Sequence, residues 1–594
     1  MSFNPYYQSE LSALRQLGRR FSERNPALAP FLGEAGQDPD VERLLEGFAF
    51  LTGRLRQKLD DELPELTHSL MHLLWPNYMR PIPAFSILQF DPLRQIGPGV
   101  MVARDTPVES VAVKGERCRF RTCYATRIQP LQLAALEYYV QGEQALLSLR
   151  LDMSAEGNFS ECTFDQLRLH LSGDRYISQA LYLSLLREVE GIELLPLGGD
   201  GRAVSGADGQ ALVLRLGGDQ VTPVGFAEEH ALMPYPQNTF GGYRHLQEYF
   251  AFPEKYLFVD VGGLDVLHCL PQDVLKQICS LKVCFKLRRG QATECPTLDN
   301  VKLYCTPIVN LFKQDAVPIR LDGKQDEYLL IPGEYARANA CVFSVDKVTG
   351  WRPGGLGYQA YVPFESFEHE GDTAPSAAPA SYCIRQRASA HHAGLDTWLR
   401  FADGQGHTQE TLSIELTCTN HNLPGQLQAG EINQACEQTP EGLSFRNICA
   451  PTASYAPPLE QDFLWRLISN MSLNYVSLSD IGALRMVLET YDVPRYHDLQ
   501  AKKISQRKLG ALRSIRHTAV DRLHLGMPFR GLRIDLAIDS QGFLGQGEAF
   551  VFASVLNEFL ALYASLNAYH ELRVISTQGD VYLWPPRMGQ QPLL

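Results

Sequence analysis

The sequence predicts an α+β, multidomain protein, and three observations predict it. Apolar residues recur every three or four positions through the first 80 residues, alternate in short runs from Phe85 to about Ile448, and show both periods together after Pro451. A chain of 594 residues divides into roughly four domains at about 150 residues each. The changes of period place them at 1–83 (helical), 84–220 (β-rich with one helix), 221–450 (β-rich) and 451–594 (α+β).

In the helical region, a first helix is predicted from about Ser9 to Arg24, with Leu11, Leu14, Leu17 and Phe21 on one face. It stops before Asn25-Pro26, because the residue before proline is pushed out of the helical region. The second helix carries the densest signal. Val41, Leu44, Leu45, Phe48, Leu51, Leu55 and Leu59 form one stripe, and Glu42, Arg43, Arg54, Arg56 and Lys58 lie opposite. Asp38 stands at the N-cap and Pro39 at the first helical position. Pro64 is expected to open a third, short helix that ends at Trp75-Pro76.

The alternating runs FSILQF, RCRFRT, LLSLRLD, LRLHLSG and LVLRLGG predict an antiparallel sandwich or barrel, interrupted by one helix at Tyr176 to Val189. A second strand-rich part contains KYLFVDV, LKVCFKL, NVKLYC, CVFSVDKV and LSIELTC. Within it, Ser366 to Ala380 is acidic, rich in Ala and Pro and without period, and reads as a mobile loop. Pro307 and Pro318 lack the N–H that a central ladder needs, so their strands are expected at sheet edges. The segment from Thr239 to Val261, crowded with Phe and Tyr, reads as a core corner, with an interface anchor as the alternative. After a linker at Pro451–Glu460 come a helix around FLWRLISNMSLN and a strand at Gly531–Asp539. A second helix carries Phe552, Val555, Leu556, Phe559, Leu560, Tyr563 and Leu566 in one stripe. A hairpin then turns at Gly579-Asp580.

Composition excludes several classes. A formal charge of −13 with scattered basic residues argues against a phosphate-binding surface. The thirteen cysteines include no C-x-x-C pair, and the spacings Cys118/Cys123 and Cys279/Cys284 suit no standard zinc site, so they read as reduced, buried thiols in a reducing compartment. The N-terminus has no signal-peptide pattern, and no run of about 18 uncharged apolar residues occurs. The chain is therefore expected to be cytoplasmic, or docked to a membrane assembly only through partners.

Motifs for chemistry are incomplete. His68 and His72 have the i, i+4 spacing of a zinc protease helix, but Ser69 stands where the general base belongs. Gly354-Gly355-Leu356-Gly357 and Gly545-Gln546-Gly547 miss the dinucleotide pattern, and there is neither a P-loop nor a G-x-S-x-G elbow. His391-His392 beside the mobile loop reads as solvated. The expectation is no enzyme activity, with no catalytic, cofactor or metal residues. Helix stripes would instead meet partners, with intradomain core as the alternative for any one residue, and the candidate interface residues are Leu44, Phe48, Leu51 and Leu55 near one end of the chain and Phe552, Leu556, Phe559 and Tyr563 near the other. The alternative is a cytoplasmic carbohydrate-active enzyme with β-sandwich domains, which requires a cleft with paired carboxylates.

The chain also resembles a family. DPDVERLLEGFAFLTGRLRQKLDDELPELT with LLWPNYMRPIP, preceded by YYQSELSALRQLGRRF, is similar to the N-terminal signature of TssF (VasA, ImpG), a baseplate subunit of the bacterial type VI secretion system. GGYRHLQEYFAFPEKYLFVDV, CTPIVNLF, VFSVDKVTG, LTCTNHNLP, FRGLRIDLAID and VLNEFLALYASLNAY resemble further TssF segments in the same order; HLGMPFRG departs by being poorer in glycine. The resemblance implies a non-enzymatic structural subunit, similar to the wedge proteins of contractile phage baseplates. It implies two copies per TssG, joined by TssK and TssE, and six wedges around a VgrG hub. It also implies docking to the inner-membrane complex, with the sheath and Hcp tube assembled from the baseplate.

Overall fold

The computed structural model describes residues 7–589 except for 9, 16, 18–38, 95–98, 154–158, 163, 206–208, 236–240, 290–294, 322–324, 337, 353–356, 365–379, 390–393, 403–409, 459–479, 525–526, 562–563 and 565–567. The predicted mobile loop, the helix around FLWRLISNMSLN and His391-His392 fall outside the described residues. The chain divides into two compact units, one within Met1–Met79 and the other holding Arg80–Pro458 and the described residues from Asp480 onward.

In the first unit the described residues between 7 and 17 are helical, and α1 spans Pro39–Leu74, 36 residues. Arg15 Nη2 donates to Glu42 Oε2 at 2.8 Å and ties the two helices together. Asp40 and Glu42 in the first turn of α1 and His72 in the last complement the helix dipole. The expected break at Pro64 does not occur: α1 runs through it. An interior proline removes one i→i−4 bond and crowds the preceding turn, which a helix of this length absorbs. The helix ends at a 3₁₀ turn, Pro76–Tyr78, where Trp75 and Tyr78 meet edge to face at 5.9 Å.

The second unit is built of sheets. A six-stranded sheet has the order Ile432–Ala435, Pro107–Val113, Glu116–Thr122, Cys305–Val309, Phe85–Phe90, Phe445–Asn447. A five-stranded antiparallel sheet has the order Leu214–Gly217, Val189–Leu197, Ser280–Leu287, Gln144–Met153, Leu131–Gln141. A four-stranded sheet places Phe258–Val261 between Val221–Pro223 and Leu167–Leu171. A larger sheet is formed from strands between Phe312 and Thr419 and closes over a separate core that includes Leu399, Leu412, Ile414 and Leu416. The architecture is α+β with several antiparallel sheets, as the sequence predicts.

Sheet membership does not follow the expected division at 220/221. Phe85–Phe90 pairs with Cys305–Val309 from Phe85↔Val309 to Gln89↔Cys305, and Ser280–Leu287 lies between two strands from before residue 200. Pro307 is likewise not at an edge, since its strand has neighbours on both sides. Pairing toward Glu116–Thr122 begins only at Ile308↔Thr122, one residue past the missing N–H.

Four helices frame the C-terminal part: α2 (Arg175–Arg187), α3 (Gly241–Ala251), α4 (Ile481–Tyr491) and α5 (Leu499–Gly510). The Asp174 carboxylate caps α2 by accepting the N–H groups of Tyr176 and Ile177. The last sheet runs Leu512–His524, Met527–Ile538, Ala568–Ser576, Val581–Leu583. Its second and third strands are parallel, joined through α6 (Gln546–Ala561). A parallel pair needs such a crossover, whereas the antiparallel pair Ala568–Ser576 and Val581–Leu583 needs only a tight turn. Gly579, with φ +96°, supplies that turn where the sequence predicts it.

Candidate interaction surfaces

The two predicted stripes have different fates. On α1, Leu44 is 74 % exposed, Phe48 56 % and Leu51 62 %. These positions, at i, i+4 and i+7, place three large apolar side chains on one wet face. Phe50 adds a second exposed ring, whereas Ala49 is buried. The side chain of Leu55 lies outside those described.

The C-terminal stripe is core. Phe552, Leu556 and Phe559 are at most 1 % exposed, and α6 packs against α2, α3 and the strand Ala568–Ser576. The Phe552 ring lies tilted against those of Tyr249 and Phe543, and Phe559 against Tyr243, at ring separations of 5.5, 5.6 and 5.7 Å. These side chains cannot meet a partner while the unit is folded; Tyr563 lies outside the described residues. The sequence carried a signal for this. Phe550, Val551, Phe552 and Ala553 are consecutive and all buried, so α6 is apolar all round, the pattern of an enclosed helix.

The aromatic segment from Thr239 to Val261 also lies inside, with Tyr243, Tyr249, Phe252, Tyr256 and Phe258 buried. Its centre is an ion pair between Lys255 and Glu248, both fully buried. Glu248 Oε1 also accepts the backbone N–H groups of Leu232 and Met233 at 2.8 and 3.3 Å. A carboxylate with that many donors holds the 232–233 segment in place, and removing either charge would leave the other uncompensated. This feature is structural and faces no cleft described below.

Of the incomplete motifs, Gly354-Gly355-Leu356 lies outside the described residues. His68 and His72 lie one turn apart on α1, and burial holds the His68 imidazole below its usual value. Among the described residues no group of three or more His, Cys, Asp or Glu could hold a metal ion. All thirteen cysteines are free, and burial pushes the Cys118 and Cys123 thiols up to about 12, which makes them small hydrophobes and not nucleophiles. At Gly545-Gln546-Gly547, a side chain on Gly547 would stand 2.3 Å from the backbone of Gln179, and one on Gly545 2.9 Å from the Tyr176 ring. These glycines let α6 approach α2. Among the described residues no helix is long and apolar enough to cross a membrane.

Three clefts bear on the carbohydrate-active reading. The first, of about 260 Å³, is lined by Cys341, Gln386, His421, Tyr455 and His497 and holds no carboxylate. The second holds Asp165 alone, paired to Arg127, and the third Asp91 alone. None brings together the two acids that glycoside hydrolysis requires.

The family model described as Type VI secretion system, TssF matches residues 1–591. The type VI secretion system component TssF1 of Pseudomonas aeruginosa PAO1 is 30 % identical over 640 residues, covering 99 % of each chain. Among solved structures, a chain of the TssK–TssF–TssG baseplate subcomplex determined by cryo-electron microscopy aligns with TM-score 0.74 and 32 % identity. That alignment covers 93 % of this chain and 99 % of the other. A chain of the baseplate complex of the type VI secretion system aligns over 100 % of both chains with TM-score 0.61 and 27 % identity. The chain belongs to the TssF family of the type VI secretion system.

Proposed function

We propose that this protein is a non-enzymatic structural subunit of the type VI secretion baseplate, held in its wedge by TssG and TssK. The observation that carries the reading is the exposed stripe Leu44, Phe48 and Leu51 on a 36-residue helix. Three large apolar side chains on one wet helix face are what a helix-packing partner covers, each contributing about 2 kcal/mol on burial before ordering costs. The similarity to a chain solved within a TssK–TssF–TssG subcomplex supports these partners. The finer assembly follows the family resemblance: two copies of this chain per TssG, joined by TssE around the VgrG hub, with the sheath and Hcp tube beyond and the inner-membrane complex as docking platform in the cytoplasm.

Co-expression with TssG and TssK tests the reading. The Phe48→Asp/Leu51→Asp variant should fail to co-purify with TssG while its own thermal unfolding is unchanged, because both side chains are already wet. Retention of the complex, or collapse of the isolated chain, would show that the stripe serves another purpose. Native mass measurement of the wild-type complex tests the copy number, and one copy per TssG would defeat that part alone.

A further inference from the structure

We propose that the outer edge of the C-terminal sheet, the strand Leu512–His524, docks an extended acidic segment of another protein, which adds to the sheet as a further strand. The inference concerns a different surface from the α1 stripe and stands whether or not that stripe binds TssG.

The first observation is charge. The chain as a whole carries −13, yet from Leu499 to Ile538, the start of α5 to the end of the second strand, nine basic residues face two acidic ones, a net of +7. Part of this is neutralised from elsewhere. Lys508 pairs with Glu548 at 2.7 Å and Arg513 with Asp539 at 2.5 Å. Arg522 and Arg533 share one carboxylate, Glu571, which is 1 % exposed. Arg522 Nη2 reaches both of its oxygens, at 3.1 and 3.0 Å, while its own side chain stays 44 % exposed, so the guanidinium is held outward by a buried anchor. Lys502, Lys503, Arg516 and Arg530 are exposed and have no ion pair among the described residues. Unmatched cations on an acidic protein are a standing field for an anionic partner.

The second observation is the edge. Leu512–His524 is thirteen residues long and, among the described residues, pairs on one side only, from Leu512↔Ile538 to His524↔Met527; at its start a helix reaches it, where Arg485 on α4 donates to the Leu512 carbonyl. In such a strand alternate residues turn both N–H and C=O away from the sheet, a template for another strand. α5 feeds into it through the single residue Ala511, so Lys502 and Lys503 stand upstream and Arg516 and Arg522 along it.

Together the two observations choose the occupant. A nucleic-acid phosphate or a lipid headgroup would satisfy the cations, but phosphate oxygens only accept and leave the outward carbonyls unmet. A polypeptide offers donors and acceptors at the same spacing as the edge. Cations along an edge repel basic strands, a second copy of this edge among them, give a neutral strand no electrostatic gain, and attract an acidic one. Charge thus selects the partner and the ladder sets its register.

The test is fluorescence anisotropy on the full chain with four labelled probes. These are a twelve-residue peptide alternating Glu with Val, the same peptide N-methylated at every backbone amide, a single-stranded DNA twelve-mer, and vesicles of phosphatidylglycerol. The Glu-Val peptide should bind, and the N-methylated peptide, equal in charge but without a backbone donor, should bind at least about tenfold more weakly. Lys503→Glu/Arg516→Glu should weaken the Glu-Val peptide by about tenfold or more, as expected for exposed cations acting together. No binding of the Glu-Val peptide overturns the proposal. Equal binding of the N-methylated peptide would reduce the edge to a charge patch, and preference for DNA or vesicles would reassign the occupant; either result overturns it. The probe comparison needs no variant, so a misfolded mutant leaves the test intact.

Discussion

At the scale of single residues, glycines show how packing can demand a residue type that chemistry does not. Gly545 and Gly547 miss the dinucleotide pattern in sequence, and the structure places them where α6 lies against α2, with Gln179 backbone 2.3 Å from a side chain on Gly547. Gly531 is similar: the Tyr569 ring lies where its side chain would be, and the tyrosine hydroxyl donates to the Val520 carbonyl at 2.9 Å. Gly547→Ala therefore sets two effects against each other. Alanine gains about 1 kcal/mol of helix propensity. It also forces two backbones apart, and overpacking of a close contact costs roughly 1–3 kcal/mol or more. Backbone atoms cannot rotate away as a side-chain end can, so the clash wins. We expect a lower midpoint of urea denaturation for Gly547→Ala, and no loss for Gly510→Ala, an exposed helical position with open surroundings and no positive φ. An unchanged midpoint for Gly547→Ala would mean that the helices can separate freely. The role of these glycines was not legible in the sequence, because a close approach involves a partner about 370 positions away.

At the scale of elements, the sequence supplies type well and fate poorly. The periods of α1, α2 and α6, the strand around Leu532 to Ile538 and the turn at Gly579 are all local, and they appear where the sequence predicts them. What a stripe packs against is not local. The stripes of α1 and α6 look alike in sequence, yet Leu51 is 62 % exposed and Leu556 is fully buried. The difference lies in the rest of each circumference, charged in α1 and apolar in α6. The same contrast predicts two unlike alanine variants of the isolated chain. Leu556→Ala opens a cavity among α2, α3 and the sheet and should cost about 2–5 kcal/mol. Leu51→Ala trims a side chain that is 62 % exposed and should stay within about 0.5 kcal/mol of wild type. Denaturant titration of the two side by side checks this, and a large loss for Leu51→Ala would place that face in a core. Pro64 and Pro307 make the opposite point. Local rules assigned them to a helix start and a sheet edge, and tertiary packing holds them inside a helix and a two-sided strand.

At the scale of the whole molecule, the sheets are assembled from strands far apart in the chain, as when Leu88 pairs with Asn447, so no reading of local period could give the domain map. The same assembly encloses histidines that the sequence leaves undistinguished. His170 is 3 % exposed with its ring 4.3 Å from that of Phe258, and burial lowers its pKa to about 3. His570 is 1 % exposed, its Nε2 lies 3.2 Å from Asn557 Oδ1, and burial, with Arg587 nearby, lowers it to about 4. His245, between Arg244 and Tyr256, is held well below 6.5 by burial first and by the Arg244 charge second. Each of these imidazoles binds a proton more readily in the unfolded chain than in the folded one. Their contribution to stability is therefore complete above about pH 6.5 and is lost as pH falls from there toward the folded values. Asp492 acts in the opposite sense, since burial raises it to about 6 and folding then favours its protonated form between 3.8 and 6. For His570 alone, moving from 6.5 to about 4 corresponds to roughly 3 kcal/mol. Three such histidines outweigh one aspartate, so net stability should fall between pH 6.5 and about 4. Urea midpoints measured at pH 7, 6 and 5 should decline in that order, with His170→Asn and His570→Gln each flattening the decline by about one proton of slope. A midpoint that holds level to pH 5, or a decline that both variants leave unchanged, would show that these rings titrate in the native state without cost.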